Sequence, residues 1–327
     1  MRRRDFITLL GGSAAIWPLA ARAQQSSMPV IGFLGSRSPD DSANLVAAFR
    51  RGLGEIGFVE GHNVTIDFRW AEGHYERLPS LSADLVARQV SVIAAPGGIA
   101  AGLAAKAATT KIPIIFLTGA DPVQFGLVSS FNRPDANLTG VAILTNTLAP
   151  KQLELLHEVA PSAKHVEFLI NPKNPITESD TRDVRTAANA TGQQILVFNV
   201  TTETDIDSAF GALIDQRVGA LLVQSDPFLN SQPNKIVALA ARYAIPAIYQ
   251  WRDFVVAGGL MSYGTVLTDA YRQVGVYAGE ILNGAMPRDL PVQQSVRVEL
   301  ILNLKAAKAL GLAFSIQLLG RADEVIE

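Results

Sequence analysis

Residues 111–126 read KIPIIFLTGADPVQFG. From Ile112 to Leu117 nearly every residue is apolar, with Pro113 near the start. Such a run suits a short strand buried on both faces of a parallel sheet. It gives way at Thr118-Gly119-Ala120-Asp121-Pro122, where Asp followed by Pro predicts a helix start, Asp121 at N-cap and Pro122 at N1. Ile245-Pro246-Ala247-Ile248-Tyr249 repeats the opening, and Asp226-Pro227 repeats the Asp-Pro device. The echo predicts two similar lobes, with ligand chemistry where the strands run out.

Working outward, apolar runs alternate with helical stripes. Strands are expected over residues 29–34, 64–70, 90–95, 112–117 and 140–144, and helices over 42–56 and 99–110, with Leu78, Leu81 and Leu85 striping a third. After Thr145-Asn146-Thr147 the alternation starts again, with strands at 166–170, 195–200, 220–223 and 245–249. Residues 258–264 (GGLMSYG) read as a connection back to the first lobe, followed by a long helix striped by Leu267, Tyr271, Val274, Ala278 and Ile281. Strands separated by amphipathic helices imply right-handed crossovers, and ligands on such sheets sit beyond the carboxyl ends of the strands. The expected fold is therefore α/β, with two doubly wound parallel-sheet lobes facing one cleft.

Composition narrows the function. The 327 residues are 48% hydrophobic and 18% charged, with 28 Lys+Arg against 30 Asp+Glu, so the chain is globular and lacks the basic excess that nucleic acid would require. There are no cysteines, and the four histidines are scattered (His62, His74, His157 and His165), so no metal site is expected. Residues 1–23 read as an export signal: Arg2-Arg3-Arg4, an apolar stretch from Ile7 to Ala20, then Ala21-Arg22-Ala23 as a cleavage site. Arg3-Arg4-Asp5-Phe6 fits the twin-arginine pattern better than an ordinary secretory signal. No later segment reaches the length of a membrane span, so no membrane insertion is expected.

Residues 49–64 (FRRGLGEIGFVEGHNV), 68–72 (FRWAE), 170–175 (INPKNP), 258–264 and the tail 321–327 resemble one family along nearly the whole chain. It is that of the periplasmic substrate-binding proteins of ABC transporters, in the branch that includes tryptophan- and phenylalanine-binding members. The resemblance implies the type I periplasmic binding fold, its lobes joined by a three-strand hinge. It also implies a periplasmic monomer that delivers a small molecule to a permease and its ATPase. The lobes are expected to comprise residues 28–144 plus 263–292 and 146–260 plus 295–327. The hinge should involve Thr145–Thr147, Tyr263-Gly264 and residues 291–295. A Tat-exported α/β enzyme with a bound cofactor, and a periplasmic sensor subunit, are the competing classes.

The residues favour binding over catalysis. The run PGGIAAG (96–102) places Ile99 where a dinucleotide loop needs its second glycine, and residues 259–264 space their serine wrongly for a nucleophile elbow. No catalytic residue and no cofactor is assigned. The free N–H groups at a helix start after Gly97 and Gly98 can accept a carboxylate, although the glycines also suit a plain tight turn. Ser36, Thr118 and Ser225 offer hydroxyls at strand ends, and Asn171 can donate and accept at once. Asp121 and Asp226 either accept hydrogen bonds from an amine or only cap helices. Tyr249 and Tyr263 are candidates for an aromatic wall.

Overall fold

The computed structural model describes residues 28–134, 137–143, 145–212, 218–294 and 297–327. The export segment, Leu144 and Ser295 lie outside the described residues. Thirteen strands carry the architecture, labelled in chain order: β1 Val30–Gly35, β2 Thr65–Trp70, β3 Val92–Ala95, β4 Ile114–Thr118, β5 Leu138–Ala142, β6 His165–Ile170, β7 Gln194–Asn199, β8 Ala220–Val223, β9 Ala247–Tyr249, β10 Met261–Thr265, β11 Gln293–Gln294, β12 Val298–Asn303 and β13 Glu324–Ile326. They form two sheets, in the orders β11-β5-β4-β3-β1-β2 and β13-β12-β10-β9-β8-β6-β7. All pairings are parallel except β10 with β12.

The two sheets repeat one topology. In each, the first strand lies between the second and the third, so the strand order reverses beside it. In such sheets a crevice opens beyond the strand ends at the reversal. The reversal falls between β1 and β3 in one sheet and between β6 and β8 in the other, and this placement decides where the site lies. The strand interiors support it: β3, β4, β5 and β8 are buried along their whole length. Each buried Val, Leu, Ile or Phe side chain contributes about 1.5–3 kcal/mol relative to exposure.

The chain passes between the sheets three times: after β5, after β10 and after β11. The second passage leads to the helix Leu267–Leu282, which lies against the helix Ala43–Glu55 of the first lobe. Two glycines make that contact. A Cβ on Gly275 would sit 2.1 Å from the Phe49 carbonyl oxygen, and one on Gly52 would sit 1.9 Å from that of Arg272. Only bare backbone lets these helices meet at this distance.

Some expectations shift. The strand expected over residues 112–117 runs from Ile114 to Thr118, because Pro113 has no N–H to give and only its carbonyl pairs, accepting from the Ile93 amide. No helix follows Pro122: residues 122–126 form turns. Residues 258–264 are not simply a connection, since Met261–Thr265 pairs with β9 and β12 inside the second sheet. Tyr263–Thr265 therefore belong to the second sheet, while Gln293 and Gln294 extend the first.

One core residue is out of character. Glu167, on β6, is fully buried between Leu196 of β7 and Leu221 of β8, and both its carboxyl oxygens lack partners. Burial raises its pKa to about 8. The native state thus keeps a proton that the unfolded chain releases near its ordinary ~4.5. Stability is full below that value and is lost as pH rises towards about 8. Thermal unfolding across this range should show Glu167→Gln flattening the decline and raising Tm at pH 8 by about 5 °C. An unchanged profile would mean that the carboxyl finds a partner.

Candidate functional site

The loops at the two topological reversals face each other across the lobes. Ser36 follows β1 and donates from Oγ to the Gly97 carbonyl 2.5 Å away, tying the β1 and β3 loops together. Gly97 admits no side chain, since its Cβ would meet Ser36 Oγ at 2.5 Å, and Gly98 sits at φ +81°. The helix Gly98–Ala108 therefore begins on bare backbone with no side-chain cap, and its first N–H groups are left for another partner. Thr118, buried at the end of β4, accepts from the Ala120 amide at 3.0 Å.

The opposite wall is organised by Asp226. It follows β8, is fully buried, and caps the short helix Pro227–Asn230, with Oδ1 accepting from the Phe228 and Leu229 amides at 2.9 and 3.1 Å. Asn171 and Asn174, from the loop after β6, donate through Nδ2 to the same carboxylate at 3.2 and 2.9 Å. The fifth donor comes from the other lobe: Tyr75 Oη approaches Asp226 Oδ2 at 2.5 Å. Burial raises the Asp226 pKa, and the hydrogen bonds from Tyr75, Leu229 and the two asparagines pull it back down. The Tyr75 hydroxyl is pushed well above its ordinary range, first by burial and then by the Asp226 charge. A second link joins the lobes, Arg37 Nη2 donating to the Asn230 carbonyl at 3.1 Å.

Between these walls lies a cleft of about 660 Å³ that is partly open to solvent. Of the expected residues, Gly97, Gly98, Thr118 and Ser225 line it, while Ser36, Asn171 and Asp226 lie directly behind the lining loops. Asp121 does not line it; its carboxylate caps a turn, accepting from the Val123 and Gln124 amides. The aromatic wall expected of Tyr249 and Tyr263 is not there. Tyr249 is a core residue stacked on Phe254 at 4.6 Å, and Tyr263 pairs opposite Leu300 in β10. The aromatic side chains at the cavity are Tyr75, Trp251 and Tyr271.

Sequence reasoning missed Arg37, Tyr75, Asn174, Asn230, Trp251 and Tyr271. Arg37 and Trp251 had a readable signal, each lying just past the end of an expected strand. Tyr271 shows in sequence only as part of a helix stripe, while its hydroxyl donates to the Pro96 carbonyl at 3.3 Å. Nothing local marks Tyr75, whose role depends on a residue 151 positions away. Among the described residues, no three His, Asp or Glu side chains gather as a metal site, and no helix is long and apolar enough to cross a membrane.

Two α/β lobes enclosing a cavity at their facing strand ends define a periplasmic-binding-type protein. The family described as ABC transporter substrate binding protein matches residues 37–326, and the chain belongs to it. A tyrosine-binding protein of Clostridioides difficile (strain R20291) is 27% identical over 262 residues, covering 80% of this chain and 75% of that one. A domain from Streptococcus pneumoniae solved with L-Trp is 25% identical, covers 92% of this chain and all of that one, and superposes with a TM-score of 0.81. A ligand-free, open substrate-binding protein with adhesive properties from Clostridium difficile, also 25% identical, covers 91% and 99% with a TM-score of 0.64.

The Asp226 cluster predicts a graded stability response. Asp226→Ala removes the cap and strands three side-chain donors, so chemical denaturation should show a loss of about 3 kcal/mol. Asp226→Asn keeps an acceptor for the cap and should lose about 1 kcal/mol. Equal losses from both would show that the cap acceptor kept by Asn contributes nothing, and would contradict this graded account.

Proposed function

We propose that this chain is the solute-binding component of an ABC importer, capturing a small amino-acid-like molecule, aromatic acid or amide in the interlobe cavity by lobe closure. The observation that carries this reading is that loops from both lobes line one cavity and are bridged across it by Tyr75–Asp226 and Arg37–Asn230. A ligand touching both walls favours the closed arrangement by its extra contacts there. Superposition agrees: at equal identity, the tryptophan-bound relative fits better than the open, ligand-free one. The relatives' names, tyrosine-binding and complexed with L-Trp, support a ligand of amino-acid size.

In this reading the chain works outside the cytoplasm as a periplasmic monomer, without cofactor or catalytic residue, and hands its ligand to a permease driven by an ATPase. Residues 1–23 direct its export, and the lobes pivot about the three passages between the sheets. Arg3→Lys combined with Arg4→Lys should strand precursor in the cytoplasm, as read by fractionation; undiminished export would remove the twin-arginine route.

Ligand capture is tested by thermal shift of the mature protein against amino acids, aromatic acids and amides. A ligand present at one hundred times its Kd stabilises by about 2.7 kcal/mol, which corresponds to a rise of several degrees. No rise with any of these compounds would contradict the proposed ligand class.

A further inference from the structure

We infer that the cavity selects its ligand by a carboxylate seated on Arg37 and does not require an ammonium group, so its ligands are apolar or aromatic carboxylic acids, with or without an α-amine. This rests on the solute-binding reading and narrows the ligand of that same site. Arg37 is the one charged side chain among the described residues lining the cavity. Its guanidinium uses Nη2 on the Asn230 carbonyl, while Nε is buried without a partner. A buried guanidinium N–H left unpaired costs stability until an acceptor reaches it, and a carboxylate is the acceptor that matches the guanidinium fork. The uncapped amino end of the helix Gly98–Ala108 lines the same cavity and favours the same charge. Trp251, a further lining residue, also has a buried, unpartnered indole N–H.

Several acceptors at the cavity already hold a donor, and none of the lining residues is anionic. The Pro96, Gly97 and Asn230 carbonyls already receive Tyr271, Ser36 and Arg37. Asn174 Oδ1 receives the Ile176 amide, and Thr118 Oγ1 receives that of Ala120. The nearby carboxylate, Asp226, is fully buried behind the lining and holds five donors of its own. An α-ammonium would therefore enter a cavity with free donors, a cation and no free carboxylate. Much of the wall is apolar, including Leu117, Ile143, Ile176 and Leu267, with Ser225 adding a hydroxyl, and it suits a hydrocarbon or aromatic body.

Isothermal titration of the mature protein with four matched series provides the test. For the phenyl series the compounds are 3-phenylpropionate, L-phenylalanine, phenethylamine and 3-phenylpropanamide; equivalent sets carry indole, 4-hydroxyphenyl and isopropyl bodies. In at least one series the deaminated acid should bind more tightly than its amino acid or within ten-fold of it, and the amine should not bind. Arg37→Gln should weaken the acid at least ten-fold, or 1.4 kcal/mol, and leave any binding of the neutral amide within three-fold. That contrast separates carboxylate recognition from the contribution of Arg37 to closure, which acid and amide share. Amino acids binding more than ten-fold tighter than their acids in every series would overturn the inference, as would amine binding or a smaller effect of Arg37→Gln on the acid. If no acid binds while a sugar or nucleoside raises Tm, the carboxylate inference falls and solute binding stands; if nothing binds, both fall.

Discussion

Asp226 is a fully buried carboxylate that accepts five hydrogen bonds: two from the backbone of its own helix, two from asparagines after β6, and one from Tyr75 of the other lobe. A buried charge without partners would cost several kcal/mol, so the surrounding groups are constrained to stay within reach of it. That constraint shapes one wall of the cavity, fixes the loop after β6 against the loop after β8, and ties the second lobe to the first. The arrangement makes the carboxylate a structural organiser whose bonding capacity is taken up before any ligand arrives.

The fold explains why this contact sits where it does. Each sheet reverses its strand order once beside its first strand, and the crevice at that reversal is where backbone and polar side chains are free to meet a ligand. With two such sheets joined by three passages, the crevices oppose each other. The first lobe supplies bare backbone at Gly97 and Gly98 and the Arg37 guanidinium, and the second supplies the Asp226 cluster. The cavity between them has free donors on one side, while the Asp226 carboxylate behind the other is already fully engaged.

Much of the fold could be read from the sequence, because it rests on local signals. Buried strands announce themselves as apolar runs such as residues 114–118 and 220–223, and their polar ends mark the loops that reach the site. Ser36, Gly97, Gly98, Thr118, Asn171, Ser225 and Asp226 all stand at or just past strand ends and lie in or directly behind the cavity lining. What failed was anything decided by partners distant in sequence. Asp121 and Asp226 carry the same Asp-Pro signature, yet one caps an exposed turn and the other is buried under donors from three segments. Tyr249 ends a strand like the others, but its side chain falls on the core face against Phe254. Tyr75 gives no local sign, since it acts only through its bond to the opposite lobe.

The Tyr75–Asp226 bond is the latch between the lobes in this account. The chain has no cysteine, so Gln124→Cys and Lys173→Cys place one nitroxide on an exposed position of each lobe. Double electron–electron resonance between them reads the lobe separation directly. Without ligand, Tyr75→Phe should move the distance distribution to longer values than in the protein that keeps Tyr75. Identical distributions would contradict a latch at Asp226.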